Sequence, residues 1–165
     1  MLFRSTWRFD AWGNACTGEA TTTCSVTMDD DKTVSATFVK TYVLTITKPA
    51  HGTITRVDNA GDAVTGDGAL SCATASAGNC TKTLDTDTVV KLKVVADSTW
   101  RFDAWGNACT GEATTTCSVT MDDDKTVSAT FVKTYVLTIT KPAHGTITRV
   151  DNAGDADRKS TRLNS

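Results

Sequence analysis

Residues 88–96 of the chain read TVVKLKVVA, and STWRFDAWGNAC follows directly after Asp97. In the first stretch Val90, Leu92 and Val94 would share one face of an extended chain, while Lys91 and Lys93 would share the other. This period of two predicts a β-strand with one face in a core. No segment of the chain shows a convincing helical period, so we expect an all-β fold without substantial helix.

The aromatic residues after this strand are the main candidates for the core. Trp100 and Phe102 share a strand face, and Trp105 falls on the opposite face. A β-bulge near Asp103 and Ala104 would turn Trp105 inward instead. Both arrangements remain open at this stage.

The flanking segments predict two hairpins. TYVLTITK, residues 41–48, alternates as a strand, and TITRV, residues 53–57, is expected to return beside it after the turn KPAHG. CSVTM, residues 117–121, and TVSATFV, residues 126–132, predict the second hairpin across an acidic turn. Residues 58–79 are rich in Gly, Ala, Asp, Ser and Thr, so we expect a loop insertion there.

A long repeat organises the chain, because residues 5–63 and 98–156 are identical and lie 93 positions apart. Recent duplication and duplication during sequence assembly would give the same identity. A period of this length indicates one small domain per repeat. We therefore expect the C-terminal part of a truncated repeat (1–41), one complete repeat domain (42–134) and the N-terminal part of a further repeat (135–156). The last residues, 157–165, resemble a translated sequencing adapter and are interpreted as a non-native tail.

The six cysteines form three pairs, each with its members eight residues apart. This regularity indicates three local disulfides, each stabilising the fold by roughly 2–3 kcal/mol, and hence an oxidising compartment. Free buried thiols are the alternative, and zinc is disfavoured because no CxxC spacing occurs. The predicted bridges are Cys16–Cys24, Cys72–Cys80 and Cys109–Cys117.

Charge and motif content disfavour several functions. The net charge is −2, and without the tail's three basic and one acidic residues it falls to −4, which disfavours nucleic acid as a partner. No apolar run reaches the roughly 18 residues of a membrane helix. The sequence has no nucleophile elbow, phosphate-binding loop or metal motif, so we expect neither catalysis nor a cofactor. His51 and His144 are interpreted as exposed polar residues in turns.

An exposed tryptophan in each repeat is a candidate ligand site. Trp12 and Trp105, beside Arg8 and Arg101, could stack on a sugar ring. Packing of both tryptophans in the core is the favoured alternative, because a large aromatic side chain gains so much from burial.

The acidic turn at Asp122, Asp123 and Asp124 is a weak candidate for calcium, which prefers several oxygen ligands from one loop. It lacks the further ligands and the glycine of an EF-hand. A solvated turn is therefore the favoured interpretation.

Several motifs in order resemble a known family. YVLTITKPAHGTI, then Phe102, Trp105 and Cys109, then SVTMDDDKTVSATF, are similar to the divergent B-repeat family named after internalin B. The resemblance implies small, mostly β modules with β-grasp-like or sandwich-like character, in tandem in bacterial surface and secreted proteins. It implies no catalytic residues.

The resemblance also implies a function in an array. Adjacent repeats of the same chain are the expected partners, with a host or extracellular glycan or protein as a further one. The joint FVKTYVL, residues 131–137, has no flexible linker, which favours a semi-rigid stalk or spacer with an adhesive role.

Overall fold

The computed structural model of the protein describes residues 6–78 and 80–148. Within these residues the regular structure is nine β-strands and one 3₁₀ turn at Gly66–Gly68, with no α-helix, so the all-β prediction is confirmed. The strands are β1 (Thr6–Asn14), β2 (Val34–Ile46), β3 (Gly52–Val57), β4 (Ser71–Ala73), β5 (Cys80–Asp85), β6 (Val89–Ala96), β7 (Trp100–Asn107), β8 (Thr116–Thr120) and β9 (Lys125–Lys133).

The strands form two sheets. The first has the order β1-β2-β9-β7, with β5 also paired to β2, and the second has the order β4-β3-β6-β8. Neighbouring strands run antiparallel except β2 and β9, which are parallel. One hydrophobic cluster contains buried residues from both sheets, as in a β-sandwich.

Strand β6 supplies the centre of this core. Val90, Leu92 and Val94 are at most 2% exposed, as the alternation predicts, and Lys93 points to solvent. Burying each such aliphatic side chain stabilises the fold by about 1.5–3 kcal/mol. The fully buried side chains that pack around them include Leu44, Ile46, Ile54, Met121 and Val127.

Both predicted hairpins are wrong. Strand β3 does not pair with β2 but with β4 and β6 in the other sheet. Likewise β8 pairs with β6, whereas β9 pairs with β7 and β2. The two short turns therefore carry the chain across the core from one sheet to the other. An alternating pattern shows which face is buried but not which strand lies alongside, so it is the same for both arrangements.

The predicted loop insertion is also partly wrong. It contains β4, whose Cys72 is fully buried and lies opposite Ile54 of β3. Leu70, just before β4, is also buried. A three-residue strand is too short to give a detectable alternation. Asn79, at the end of the predicted loop, lies outside the described residues.

All three predicted disulfides are confirmed, with Cα–Cα distances of 5.6 to 5.9 Å. Cys72 of β4 and Cys80 of β5 lie in different sheets, so their bridge joins the two layers. Cys109, just after β7, and Cys117 of β8 join the layers at a second point. Two covalent links thus cross the core within residues 42–134.

The chain divides into two compact units, residues 1–134 and 135–165. In the second unit, described residues 135–148 contain no strand, and Tyr135 and Leu137 are 83% and 77% exposed. Their sequence-identical counterparts Tyr42 and Leu44 are 9% and 0% exposed within β2. Residues 42–46 are paired with β5 and β9, whereas the described residues 135–148 form no strand. The predicted repeat boundaries remain a prediction, and the predicted non-native tail lies outside the described residues.

Removing the bridge between the layers should destabilise the complete repeat. We expect Cys72→Ala with Cys80→Ala to lower the free energy of unfolding by about 2–3 kcal/mol, since the unfolded chain regains the freedom of a short closed loop. Native-state hydrogen exchange at the Leu92 amide measures this. Cys16→Ala with Cys24→Ala is the control and should leave exchange at Leu92 unchanged. Equal effects of the two pairs would contradict the assignment.

Candidate functional site at the joint between repeats

Strand β2 runs without interruption through the predicted boundary between two repeats. Its 13 residues, Val34–Ile46, include the last residues of one repeat and the first of the next. Strand β1 pairs with its first part, and β5 and β9 pair with its second part. Thr41, at the boundary, is paired with both Thr6 of β1 and Asp85 of β5. The segments on the two sides of the predicted boundary therefore share one hydrogen-bonded strand.

Hydrogen bonds around Thr41 fix the boundary further. Thr41 is 4% exposed, and its hydroxyl donates to the Thr6 carbonyl at 2.8 Å. The Thr86 N–H donates to the Lys40 carbonyl at 2.9 Å. The Lys40 ammonium lies 4.7 Å from the centre of the Tyr42 ring, on the other side of the boundary. Polar groups at the joint are thus satisfied by protein partners from both repeats.

A bidentate ion pair also crosses the joint. Arg8, before the boundary, donates from Nε and Nη2 to the two carboxylate oxygens of Asp85 at 2.6 and 2.5 Å. This hydrogen bonding lowers the pKa of Asp85 and raises the pKa of Arg8. Both groups remain exposed to solvent, so the pair specifies the geometry of the joint more than it stabilises it.

The second copy of this arginine has a different environment. Arg101 lies 3.9 Å from Asp103, an acid of its own strand, and donates from Nη1 to the Phe102 carbonyl at 3.5 Å. Arg8 and Arg101 were both candidates for ligand binding from the sequence. The structure instead engages Arg8 in the joint and leaves Arg101 60% exposed.

Trp105 lies in the core and does not face solvent. The strand register shifts between Phe102 and Ala104, which is the β-bulge that the sequence left open, and Trp105 is 5% exposed. Its indole N–H donates to the Thr114 carbonyl at 2.8 Å. The premise of a solvent-facing Trp105 is therefore wrong, because the extra residue in the bulge rotates the side chain to the inner face.

Trp12 keeps the same local structure in the first copy. Its indole N–H donates to the Thr21 carbonyl at 2.8 Å, and its ring lies 5.3 Å from that of Phe9. It is only partly buried. The bulge and the indole hydrogen bond thus recur in both copies, each beside an equivalent partner strand.

Sequence reasoning missed the environment of His51. Its imidazole stacks on the Trp100 indole, with centroids 3.4 Å apart and planes 8° from parallel. The expectation of a freely exposed histidine is therefore wrong for His51, which is half-buried. The two residues are far apart in the sequence, and no local pattern could have paired them. Trp7, the counterpart of Trp100, is 62% exposed.

The carboxylates of the acidic turn are engaged by the protein itself. Asp122 pairs with Lys125 at 2.5 Å, which lowers the pKa of Asp122 and raises the pKa of Lys125. Asp123 accepts the Asp124 N–H, and Asp124 accepts the Val43 N–H just after the boundary, both at 2.8 Å. The described residues contain no cluster of three or more acidic, histidine or cysteine side chains arranged to hold a metal ion. Asp124 instead connects the turn to β2.

The family model of the divergent InlB B-repeat domain matches residues 4–41 and 70–134. The chain belongs to this family. Both matches end at the residue before a predicted repeat start, and residues 42–69 lie outside them. No curated protein and no solved structure matches the chain. In the described part of this B-repeat protein, no helix is long and apolar enough to span a membrane.

The ion pair at the joint predicts the titration of Asp85. We expect Arg8→Gln to raise the pKa of Asp85 towards the ordinary value of about 3.9. Because the folded-state pKa is lowered, the pair stabilises the joint above the unfolded pKa and ceases to do so as the pH falls through the folded value. NMR titration of the Asp85 carboxyl measures the shift. Arg101→Gln is the matched control, and a pKa of Asp85 unaffected by Arg8→Gln would refute the contact.

The burial of Trp105 predicts a large loss of stability on truncation. We expect Trp105→Ala to lower the free energy of unfolding by about 3–5 kcal/mol through lost burial and a cavity. Trp7→Ala, at an exposed site, should change it little. Denaturant unfolding followed by circular dichroism compares the two variants. A folded Trp105→Ala protein of unchanged stability would place this side chain outside the core.

Proposed function

We propose that this chain is a non-catalytic tandem repeat of an extracellular bacterial surface or secreted protein, and that its repeats form a semi-rigid stalk or spacer. The observation that carries the proposal is the continuous strand β2. A stalk must hold its distal end away from the surface, so its joints must resist bending. A joint made from an unbroken strand meets that requirement.

Bending at this joint would break bonds in several strands at once. Residues 34–41 are hydrogen-bonded to β1, and residues 41–46 are hydrogen-bonded to β5 and β9. Each backbone bond contributes about 0.5–1.5 kcal/mol net, and the bonds would be lost together. A Gly/Ser-rich linker has no such bonds and behaves as a flexible coil.

The covalent chemistry supports an extracellular location. All described cysteines are in disulfides, which persist in oxidising compartments and are rare in the cytosol. Membership of the B-repeat family supports a bacterial surface or secreted protein. Adhesion belongs to the same proposal, since a repeated module can present the same surface many times. Sugar binding through Trp105 has no support from its geometry, because its ring would have to leave the core.

An insertion at the joint tests the stalk. Arrays of one to four complete repeats are compared by small-angle X-ray scattering. Their maximum dimension should grow linearly with repeat number. Inserting Gly-Ser-Gly between Thr41 and Tyr42, and at each equivalent joint, should shorten the average dimension and broaden the distance distribution.

The same insertion between Asn59 and Ala60, both in an exposed loop, is the matched control and should leave the scattering profile of the array nearly unchanged. If the unmodified array scattered as freely jointed beads, the stalk proposal would fail.

A further inference from the structure

An apolar face of β1 and β2 is open to solvent. Trp7, Val34 and Phe38 point to the same side of the sheet, as the alternation along the two paired strands requires. Each of these three side chains is 47% exposed or more. We call the three residues the Trp7 face. Exposed apolar patches of this kind mark interaction surfaces.

The same face is covered in the other copy of the repeated sequence. Its counterparts there are Trp100, Val127 and Phe131. Val127 is fully buried, and the two aromatic side chains are partly buried. The segment that contacts them, residues 44–52, consists of the end of β2, the turn after it and the first residue of β3. The sequence that covers such a face is therefore known.

Backbone pairing holds this covering segment against β9. Leu44–Ile46 pair in parallel with Lys125–Val127, and the Thr47 N–H donates to the Val127 carbonyl at 2.8 Å. The pairing uses the edge of β9 that is not occupied by β7. Within the described strands, residues 34–40 of β2 pair with β1 alone, so the equivalent edge is open in the first copy.

Two side-chain contacts make the covering segment specific. The His51 imidazole stacks on the Trp100 indole, as described above. Gly52 lies against Phe131 so closely that a Cβ at this position would be 2.7 Å from the ring. The face therefore selects an extended segment that carries a histidine followed by a glycine.

An identical segment occurs at residues 135–145, which repeat residues 42–52 letter for letter. It forms no strand in the described structure, and Leu137 is exposed. The sequence that it would contact is also repeated, since residues 7–38 are identical to residues 100–131. Both sides of the contact are thus present a second time, each with apolar side chains exposed.

Chain geometry excludes the same chain as the donor of this segment. Leu44 of β2 lies opposite Lys125 of β9, and the two strands run in parallel. Val34 precedes Leu44 by ten residues, whereas Lys133 follows Lys125 by eight. About 18 residues of strand, roughly 60 Å, therefore separate Val34 from Lys133 along the sheet. Ile139 lies six residues beyond Lys133 and can reach at most about 22 Å from it.

We propose that residues 135–145 of one chain bind the Trp7 face of a second copy of this chain by adding a strand to the open edge of β2. In such strand addition, backbone hydrogen bonds supply affinity and side-chain contacts supply specificity. The contacts would follow the register of the other copy, with Leu137–Ile139 parallel to Lys32–Val34, His144 on Trp7 and Gly145 against Phe38.

The proposed contact is head-to-tail and weak. Donor and acceptor are different surfaces of the chain, so association produces rings or open filaments of copies. Strands β4, β5 and β6 complete the core in residues 42–134, but their sequences lie outside the repeated stretches. The added segment therefore covers only part of the Trp7 face, and we expect a Kd on the order of 0.1 mM.

Sedimentation velocity of the full chain from about 0.01 to 1 mM tests the association. We expect the average mass to rise with concentration above that of one chain. Leu137→Asp should weaken association by about tenfold or more, the effect of losing one buried leucine. Thr138→Asp is the matched control with the same added charge, and should have little effect because its side chain points away from the acceptor. Both positions lie outside every described strand, so neither variant disturbs the fold of residues 42–134.

A mixture of ¹³C-labelled and unlabelled chains locates the contact. Isotope-filtered NOEs between chains should join the His144 imidazole to the Trp7 indole. A mass of one chain at every concentration, equal effects of the two aspartate variants, or associated chains without this NOE would each overturn the proposal. The spacer proposal is tested separately, because the joint at Thr41 lies within one chain and needs no second copy.

Discussion

The hydrogen-bond ladder along β2 is the constraint on which the rest of the structure depends. This strand crosses the predicted repeat boundary, so its neighbours β1, β5 and β9 come from both sides of that boundary. Arg8, Asp85 and Asp124 then act at this strand, two as a pair across the boundary and one as an acceptor for Val43. Within the second part of β2, residues 42–46, the side chains of Leu44 and Ile46 are buried in the core. Order within a repeat and order between repeats are therefore coupled.

The second constraint is covalent. A domain of this size buries a smaller fraction of its surface than a large one, so its core is limited. Two disulfides compensate by joining the layers at β4–β5 and at the β7–β8 connection. The indole N–H of the buried Trp105 donates to the carbonyl of Thr114, which lies inside the loop that Cys109 and Cys117 close. The bulge and the loop after it, which recur in both copies, are thus also cross-linked.

The sequence predicted which residues are buried better than which strands are neighbours. The inward Val90, Leu92 and Val94 and the three cysteine pairs follow from local patterns of period and spacing. The bulge near Asp103 was one of two arrangements that the pattern left open. The hairpins failed because alternation is identical for strands that lie side by side and strands that face each other across a core. The ion pair of Arg8 with Asp85 and the stacking of His51 on Trp100 join distant residues, and no local signal encodes them. Strand β4 was missed in residues 58–79 because the composition is that of a loop and the strand buries a single side chain, Cys72.

The parallel pairing of β2 with β9 has a mechanical consequence. Leu44, Thr45 and Ile46 lie opposite Lys125, Thr126 and Val127, and the Thr47 N–H adds a bond to the Val127 carbonyl. A tensile force along an array would be transmitted into a repeat through β2 and out of it through the end of β9. Tension would then shear this ladder, loading its bonds simultaneously instead of unzipping them one by one. In a protein held at one end in flowing liquid, drag would load these parallel strands in shear. That direction of loading resists separation better than unzipping does.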